Sequence, residues 1–225
     1  MTRLEEIASF VSEEVVADIG ADHGYLIKIL FESGKISSAF ACDISQKCLE
    51  KAKQNLFAHK DKVTFLCGDG LEVFEQYLDN NLSAKNANSM PKEVIISGMG
   101  GKEIIKILMS KEAKNFDKFI LSPQKNVYEV RSFLSQNSFE FLLDKMICEN
   151  GIYYNIFKVQ RGNTPYVMSE IELLYGRQNT QNPQGDFLDF CNKKLQDYKT
   201  ILDKKEVKDI RQKYNYLLSI VAKAK

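Results

Sequence analysis

The sequence predicts an α/β fold in which a mostly parallel sheet is followed by an antiparallel helical hairpin. Between residues 15 and 138, short apolar runs alternate five times with longer amphipathic segments, the pattern of strand–helix units. Two further β-rich runs, 139–148 and 152–161, are joined through Asn150-Gly151, a pair typical of tight hairpin turns, so the last strand should run antiparallel. Beyond the hairpin, apolar residues recur at spacings of three and four, as in two packed helices.

Each of the five units has its own start and stop signals. The predicted strands are apolar runs at 15–20, 37–44, 62–70, 93–101 and 117–123. The predicted helices follow them at 25–34, 45–60, 71–79, 102–113 and 127–138. Gly34 ends the first helix and Ser45 is a typical N-cap for the second. Residues 80–92 are polar and irregular, which predicts a surface loop.

The C-terminal helices are predicted from two apolar seams. The first seam comprises Leu188, Cys191, Leu195, Tyr198 and Leu202, and the second comprises Val207, Ile210, Tyr214, Leu217 and Val221. A polar gap at 203–206 separates them, and each seam is shorter than three heptads, which favours a hairpin over an extended multimeric coiled coil. The chain is therefore predicted to comprise a domain at 1–162, a connector at 163–185 and a helical tail at 186–225.

Composition indicates an ordinary globular protein. Of the 225 residues, 44% are hydrophobic and 27% charged, and no apolar run approaches the roughly 20 residues that cross a membrane. The five cysteines are an odd number without close metal-ligand spacing. We expect a cytoplasmic monomer with no membrane segment and no metal.

Four acidic or glycine-rich clusters fall at the carboxyl ends of successive predicted strands. They are Asp18/Gly20/Gly24, Asp43, Gly68-Asp69-Gly70 and Gly98-Met99-Gly100-Gly101. Taken singly, each could be a turn or a helix cap. Because the carboxyl ends of parallel strands meet at one edge of a sheet, their regular spacing instead predicts a binding site there.

The acids at this edge narrow the choice of ligand. Asp43 lies about 20 residues after the first glycine turn, where a carboxylate accepts both hydroxyls of a ribose, as in sites for NAD, FAD or S-adenosylmethionine. The glycine pattern of a pyrophosphate site is incomplete, and Asp22 would repel a pyrophosphate. Asp18 and Asp22 suit a cationic ligand, and Asp69 suits an adenine amino group. S-adenosylmethionine fits all four clusters best.

Several of these motifs resemble one family. The stretches DIGADHGYL, GDGLEV, SGMGG and LSPQ are similar to the bacterial TrmK family of tRNA adenine-N1 methyltransferases, which act on adenosine 22. The resemblance extends along the whole chain and implies an N-terminal helix, a Rossmann-like seven-stranded class I methyltransferase sheet and the helical tail. One departure is Ser122-Pro123-Gln124, where a Gln-Pro-Asn-like segment is expected, so either Gln124 or Asn126 could meet the target base.

The motifs and the resemblance together give a set of expected site residues. The expected cofactor-binding residues are Asp18, Gly20, His23, Gly24, Tyr25, Leu26, Asp43, Ile44, Gly68, Asp69, Gly70, Ser97, Gly98 and Met99. The expected substrate-binding residues are Pro123, Gln124, Lys193, Lys194, Lys199, Lys204 and Lys205. The tail holds ten Lys/Arg against six Asp/Glu, which indicates either a grip on the tRNA backbone or an ordinary solvated face.

The turn after the fourth strand bears on the chemistry. Residues 97–100 contain neither the proline nor the aromatic residue that commonly grips an exocyclic amine, so attack by a ring nitrogen is predicted. Asp22 is the candidate catalytic residue, and the alternative is that it caps the turn or binds the cofactor ammonium. His23 is expected to anchor the loop by hydrogen bonding.

Other functions remain open at this point. One is a small-molecule methyltransferase whose tail is a dimer interface or lid, and another is a non-catalytic RNA-binding protein on the same fold. The incomplete glycine pattern makes a dehydrogenase the weakest alternative.

Overall fold

A computed structural model describes residues 1–80 and 90–224, so residues 81–89 of the loop predicted at 80–92 lie outside the described residues. The strands are β1 Val15–Ile19, β2 Ser38–Asp43, β3 Val63–Cys67, β4 Glu93–Ser97, β5 Lys118–Ser122, β6 Phe139–Glu149 and β7 Ile152–Arg161. The helices are α1 Arg3–Phe10, α2 Tyr25–Glu32, α3 Gln46–Asn55, α4 Val73–Asn80, α5 Gly101–Met109, α6 Val127–Gln136, α7 Glu170–Tyr175, α8 Arg177–Gln181, α9 Gly185–Leu202 and α10 Lys208–Val221.

The seven strands form one sheet in the order β3-β2-β1-β4-β5-β7-β6. Strands β1 to β5 are parallel to their neighbours among themselves, whereas β7 runs antiparallel to both β5 and β6. The turn between β6 and β7 has positive φ at Asn150 (51°) and Gly151 (79°), as a two-residue hairpin turn of the mirror-image type requires. These features confirm the predicted fold class and the antiparallel last strand.

Apolar side chains cover both faces of the sheet. One buried cluster joins the sheet to α4, α5 and α6 and includes Phe74, Ile104 and Leu134. The other joins it to α1, α2 and α3. This three-layer arrangement leaves the carboxyl edge of the parallel strands free for loops. No helix within residues 1–80 and 90–224 is long and apolar enough to cross a membrane.

The predicted connector contains two short helices, α7 and α8, which sequence periodicity did not indicate. The tail forms two packed helices as predicted, α9 and α10. Their buried contacts differ slightly from the predicted seam, because Phe187 is buried more deeply than Leu188. Phe187, Cys191, Leu217 and Ile220 form a third cluster with Met146 of β6 and Tyr175 of α7, so the tail packs against the sheet.

A fully buried ion pair fastens the connector to the sheet. Arg131 of α6 donates from Nε and Nη2 to the two carboxylate oxygens of Asp144 at 2.8 and 2.9 Å. Its remaining N–H groups reach the Leu173 and Leu174 carbonyls and Asn155 Oδ1, so all five guanidinium hydrogens have acceptors. Gly176, at φ +86°, lies so close that a Cβ there would be 2.5 Å from Asp144 Oδ2.

Side chains from the connector and tail bond to the outer edge of β6. The Asp144 amide donates to Gln178 Oε1 at 2.8 Å, and Gln178 Nε2 donates to the Leu142 carbonyl at 3.2 Å. Further along the strand, the Cys148 amide donates to Asp186 Oδ2 at 2.8 Å. An irregularity in register between Phe141 and Leu143 adds a bulge to the same strand.

Candidate functional site

A cavity of about 420 Å³ opens at the carboxyl edge of the sheet, where β1 and β4 lie side by side. The strand order reverses between these strands, which is the position where open α/β sheets bind ligands. Eleven of the predicted site residues line the cavity: Asp18, Gly20, Asp22, His23, Tyr25, Leu26, Asp43, Ser97, Gly98, Met99 and Gln124. Three lining residues were not predicted, namely Arg3, Leu4 and Ala21.

The loop after β1 forms one wall of the cavity. The amides of Gly20 and Ala21 both donate to the Cys42 carbonyl, at 2.8 and 3.0 Å, which ties this loop to the end of β2. Gly20 has φ +75°, and a Cβ there would lie 2.3 Å from Met99 Cε. A glycine at this position therefore allows the loops after β1 and β4 to approach each other.

Asp43 connects two loops through its carboxylate. Its Oδ2 accepts from the Asp22 amide at 2.9 Å and its Oδ1 from the Ser45 amide at 2.8 Å. Ser45 itself caps α3, as predicted, by accepting from the Cys48 amide at 3.3 Å. Each carboxylate oxygen keeps a second lone pair, so Asp43 can still accept from a ligand hydroxyl.

Asp18 is the most deeply buried acid of the site, with 3% of its surface exposed. Burial, followed by the nearby Asp43 carboxylate, raises the pKa of Asp18 from its ordinary 3.8 to about 7. Burial and the same two acids also hold the pKa of the Cys42 thiol well above its ordinary value. The site thus concentrates negative charge that a cationic ligand would stabilise.

Asp22 and His23 sit at the mouth of the cavity. The Asp22 side chain is 65% exposed, and its Oδ1 lies 3.5 Å from His23 Nε2. Within the described part of the chain, the Asp22 carboxylate accepts no backbone hydrogen bond, so nothing there supports a capping role. The His23 carbonyl accepts from Asn55 Nδ2 at 2.9 Å and Lys51 Nζ is 3.2 Å from His23 Nε2, so His23 ties the loop to α3.

The same loop and helix α3 together contribute a mixed group of possible metal ligands. Atoms of Asp22, His23 and Cys48 lie within 4.8 Å of one another. The Lys51 ammonium, 3.2 Å from the His23 ring nitrogen, already places a positive charge beside this group. That charge opposes the binding of a metal cation there.

Other predicted site residues lie outside the cavity lining. Asp69 pairs with Lys106, whose Nζ is 2.8 Å from Asp69 Oδ2, and Ile44 is 73% exposed beside Asp43. The others in this group are Gly24, Gly68, Gly70, Pro123 and the five tail lysines. Ligand contacts by these residues stay predictions.

Gln124 and Asn126 are the two candidate residues after β5, and of these Gln124 lines the cavity. The Gln124 amide donates to the Met99 carbonyl at 2.9 Å, which joins the turns after β4 and β5. Asn126 instead begins α6 at φ +57°, and its Nδ2 donates to Glu129 Oε1 at 3.1 Å. Gln124 is therefore the candidate at the cavity, and its contact with a target base stays a prediction.

Arg3, the unpredicted cation of the cavity, comes from the first turn of α1. The rule that strands end at a common edge does not apply to Arg3, because α1 precedes β1 and is positioned by packing against α2 and β7. The available signal was an arginine in an N-terminal helix that the family resemblance already implied.

The sequence matches a family model described as a methyltransferase domain over residues 1–157. "Putative tRNA methyltransferase MG248" of Mycoplasma genitalium is 32% identical to it over 178 residues, which are 77% of this chain and 76% of that protein. The tRNA (adenine(22)-N(1))-methyltransferase of Bacillus subtilis is 26% identical over 179 residues, which are 77% of this chain and 70% of that protein.

The fold is also similar to a solved structure along its length. The crystal structure of Streptococcus pneumoniae Sp1610, "a putative tRNA (m1A22) methyltransferase", has a TM-score of 0.83 at 26% identity and covers 98% of this chain and 99% of that one. A second structure of that protein, in complex with S-adenosyl-L-methionine, has a TM-score of 0.80 and covers 97% and 98% of the two chains. The similarity therefore includes both the strands around the cavity and the helical tail.

Proposed function

This chain belongs to the methyltransferase domain family, and we propose that it uses S-adenosylmethionine to methylate N1 of adenosine 22 in tRNA. One observation carries the proposal: the cavity between β1 and β4 is lined by three acids, one of them buried with a raised pKa, and not by a phosphate-binding glycine loop. The proposal is supported by the relatives, which are named as tRNA methyltransferases. With tRNA as substrate, the reaction would take place in the cytoplasm.

The residues of the cavity fit this cofactor. Asp18 offers negative charge for a cationic group of the cofactor, and Asp43 offers lone pairs for ribose hydroxyls. Exposed Ile44, next to Asp43, offers an apolar surface for an adenine ring.

For this reaction the protein has to align the two reactants and stabilise the charge that develops. S-adenosylmethionine supplies a methyl group attached to a positively charged sulfur. With the cofactor bound, the N1 lone pair of adenine would form the new bond to that carbon as the carbon–sulfur bond breaks. The sulfur would keep that electron pair as a neutral thioether, and the base would gain the positive charge. Gln124 can orient the base through its amide, and Asp22 can stabilise the new charge or accept a proton from N6.

The proposed function is tested by incubating the protein with tRNA and methyl-labelled cofactor. Labelled tRNA that stops reverse transcriptase at position 22 supports it, because N1 methylation blocks base pairing. A transcript with guanosine at position 22 is the matched control and should stay unlabelled. Label without a stop at position 22, or no transfer to tRNA, contradicts the proposal.

Cofactor affinity is expected to rise with pH up to about 7. Since burial raises the pKa of Asp18 to about 7, this group is largely protonated at pH 5.5 and must lose its proton to bind a cation. Titration calorimetry between pH 5.5 and 7.5, in buffers of different ionisation enthalpy, should show proton release of up to about one per site below pH 7. Equal affinity at both ends of this range would contradict the role of Asp18.

The same pKa has a consequence for stability. The free folded state holds the Asp18 proton more tightly than the unfolded chain does. The contribution of this proton to the free energy of unfolding is complete below pH 3.8 and is lost as pH rises through about 7. Because the cofactor is expected to bind more tightly once Asp18 is ionised, the rise in melting temperature that it causes should be larger at pH 7.5 than at pH 5.5. The Asp18→Asn variant is the control, and its cofactor-induced shift should change little with pH.

We also propose that the tail contacts the tRNA backbone near the turn between α9 and α10. Lys204 and Lys205 lie at that turn and Lys199 one turn earlier, all three exposed. Neighbouring cations are already paired, as in Lys213 with Asp209 at 2.8 Å and Arg211 with Glu206 at 2.7 Å. Unpaired exposed lysines are the better phosphate ligands, because they need not leave an acid.

Replacing Lys204 and Lys205 together with Gln is expected to weaken tRNA binding and reduce its salt dependence. If each lysine contacts one phosphate, the magnitude of the slope of log affinity against log salt should fall by about 1.4 to 1.8. The matched control replaces Lys92 and Lys114, which are exposed near the starts of β4 and β5 at the opposite edge of the sheet. The proposal fails if both double variants change the slope equally or neither changes it.

A further inference from the structure

Arg3 differs in charge from the rest of the cavity. The lining includes the carboxylates of Asp18, Asp22 and Asp43, and among the lining residues Arg3 alone carries a permanent positive charge. A ligand that is wholly cationic would be repelled by this residue. Its presence indicates a ligand with a negative group as well.

The position of Arg3 is fixed from two sides. Its backbone amide donates to Glu149 Oε1 at 2.9 Å, at the end of β6. Its guanidinium carbon lies 5.0 Å from the centre of the Tyr154 ring, on β7. Thr2 and Glu5, on either side of Arg3 in the sequence, form a complete capping box, which holds the first turn of α1 in place. The guanidinium is thus oriented before any ligand arrives.

One nitrogen of this guanidinium lacks a partner. Nη1 of Arg3 is shielded from solvent and has no hydrogen-bond acceptor among the described residues. A buried donor on a charged group is costly to leave unpaired. By contrast, the buried guanidinium of Arg131 uses every N–H. Arg3 also lines the cavity, so its guanidinium can pair with an anion bound there.

We infer that Arg3 forms a carboxylate-binding subsite that holds the α-carboxylate of the cofactor's amino-acid part. This inference rests on the proposed function, since it takes the ligand to be S-adenosylmethionine. The acids of the cavity suit the two cationic groups of that molecule and would repel its carboxylate. The planar guanidinium matches a carboxylate in charge and geometry, and charge-assisted pairs of this kind are the stronger hydrogen bonds.

The test compares two ligands on the same protein by titration calorimetry. S-adenosylhomocysteine has the carboxylate, whereas S-adenosyl-3-thiopropylamine has the same adenosine, sulfur and amine but no carboxylate. Arg3→Gln should lower the affinity for S-adenosylhomocysteine roughly 10- to 100-fold, as expected for loss of a charged hydrogen bond. It should change the affinity for the amine analogue by less than about 2-fold. Lys28→Gln, which removes a charge from the exposed face of α2, should change neither affinity.

The outcomes separate this inference from the proposed function. If the unsubstituted protein binds neither ligand, the cofactor assignment itself fails. If it binds S-adenosylhomocysteine and Arg3→Gln binds it equally well, the carboxylate subsite is wrong. If Arg3→Gln lowers the affinity for both ligands equally, the carboxylate subsite is also wrong, because the loss then does not depend on the carboxylate. A variant that keeps both ligands but binds tRNA more weakly would assign Arg3 to a phosphate instead.

Discussion

Asp22→Asn is expected to lower the rate of methyl transfer to tRNA roughly 100-fold while cofactor affinity changes by less than about 3-fold. The Asp22 carboxylate lies at the cavity mouth, 65% exposed, and its Oδ1 is 3.5 Å from His23 Nε2. It is therefore available to the positive charge that develops on the base. Asparagine keeps the shape of the side chain and its tolerance of the positive φ of 49° while removing the charge.

Rate and affinity must be measured separately in this experiment. Single-turnover methyl transfer with saturating tRNA gives the rate, and calorimetry gives the affinity for S-adenosylhomocysteine. Asp61→Asn removes an exposed acid outside the cavity and is the matched control. An unchanged rate would refute the catalytic role. A parallel fall in rate and cofactor affinity would assign Asp22 to cofactor binding alone.

Asp144→Ala is expected to lower the free energy of unfolding by about 3 to 5 kcal/mol. The substitution leaves the Arg131 guanidinium fully buried without the carboxylate that accepts two of its hydrogen bonds. The loss should also loosen α7, because Arg131 bonds the Leu173 and Leu174 carbonyls at the end of that helix. Urea unfolding followed by circular dichroism measures the change.

The double variant Arg131→Met/Asp144→Leu separates the effect of an unpaired buried charge from the effect of lost side-chain volume. Replacing both partners with apolar residues removes the unpaired charge, so the double variant should be more stable than Asp144→Ala. A loss below about 1 kcal/mol for Asp144→Ala would show that water or a neighbouring group replaces the carboxylate. Gly176→Ala would place a Cβ against the Asp144 carboxylate, so it should lower the free energy of unfolding as Asp144→Ala does.

Features with local signals could be predicted from the sequence. The Asn150-Gly151 turn, the Ser45 cap and the glycines after β1 and β4 each follow from the backbone conformation that those residues favour. The cavity followed from one further rule, that parallel strands end at a common edge. Gln124 reached the cavity by the same rule, through the end of β5.

Features that depend on packing could not be predicted in the same way. Arg3 enters the cavity because α1 rests on β7 and Glu149 fixes its first turn, contacts between residues almost 150 positions apart. Helices α7 and α8 are too short to show a period, and α7 is held by Arg131 from another element. The role of Phe187 in the tail depends on Met146 and Tyr175, which lie outside the tail.

The side-chain bonds along β6 affect how the molecule behaves towards other copies of itself. Strand β6 is the outermost strand on its side, and an uncovered edge invites strand addition and aggregation. Gln178 and Asp186 occupy outward-facing backbone groups that another chain would otherwise use. Removing the chain from residue 186 would delete Asp186 and so uncover the part of this β-edge near Cys148, as well as deleting the lysines. Poor solubility of such a fragment could then be mistaken for a loss of tRNA recognition, which is why point substitutions are the cleaner probe of the tail.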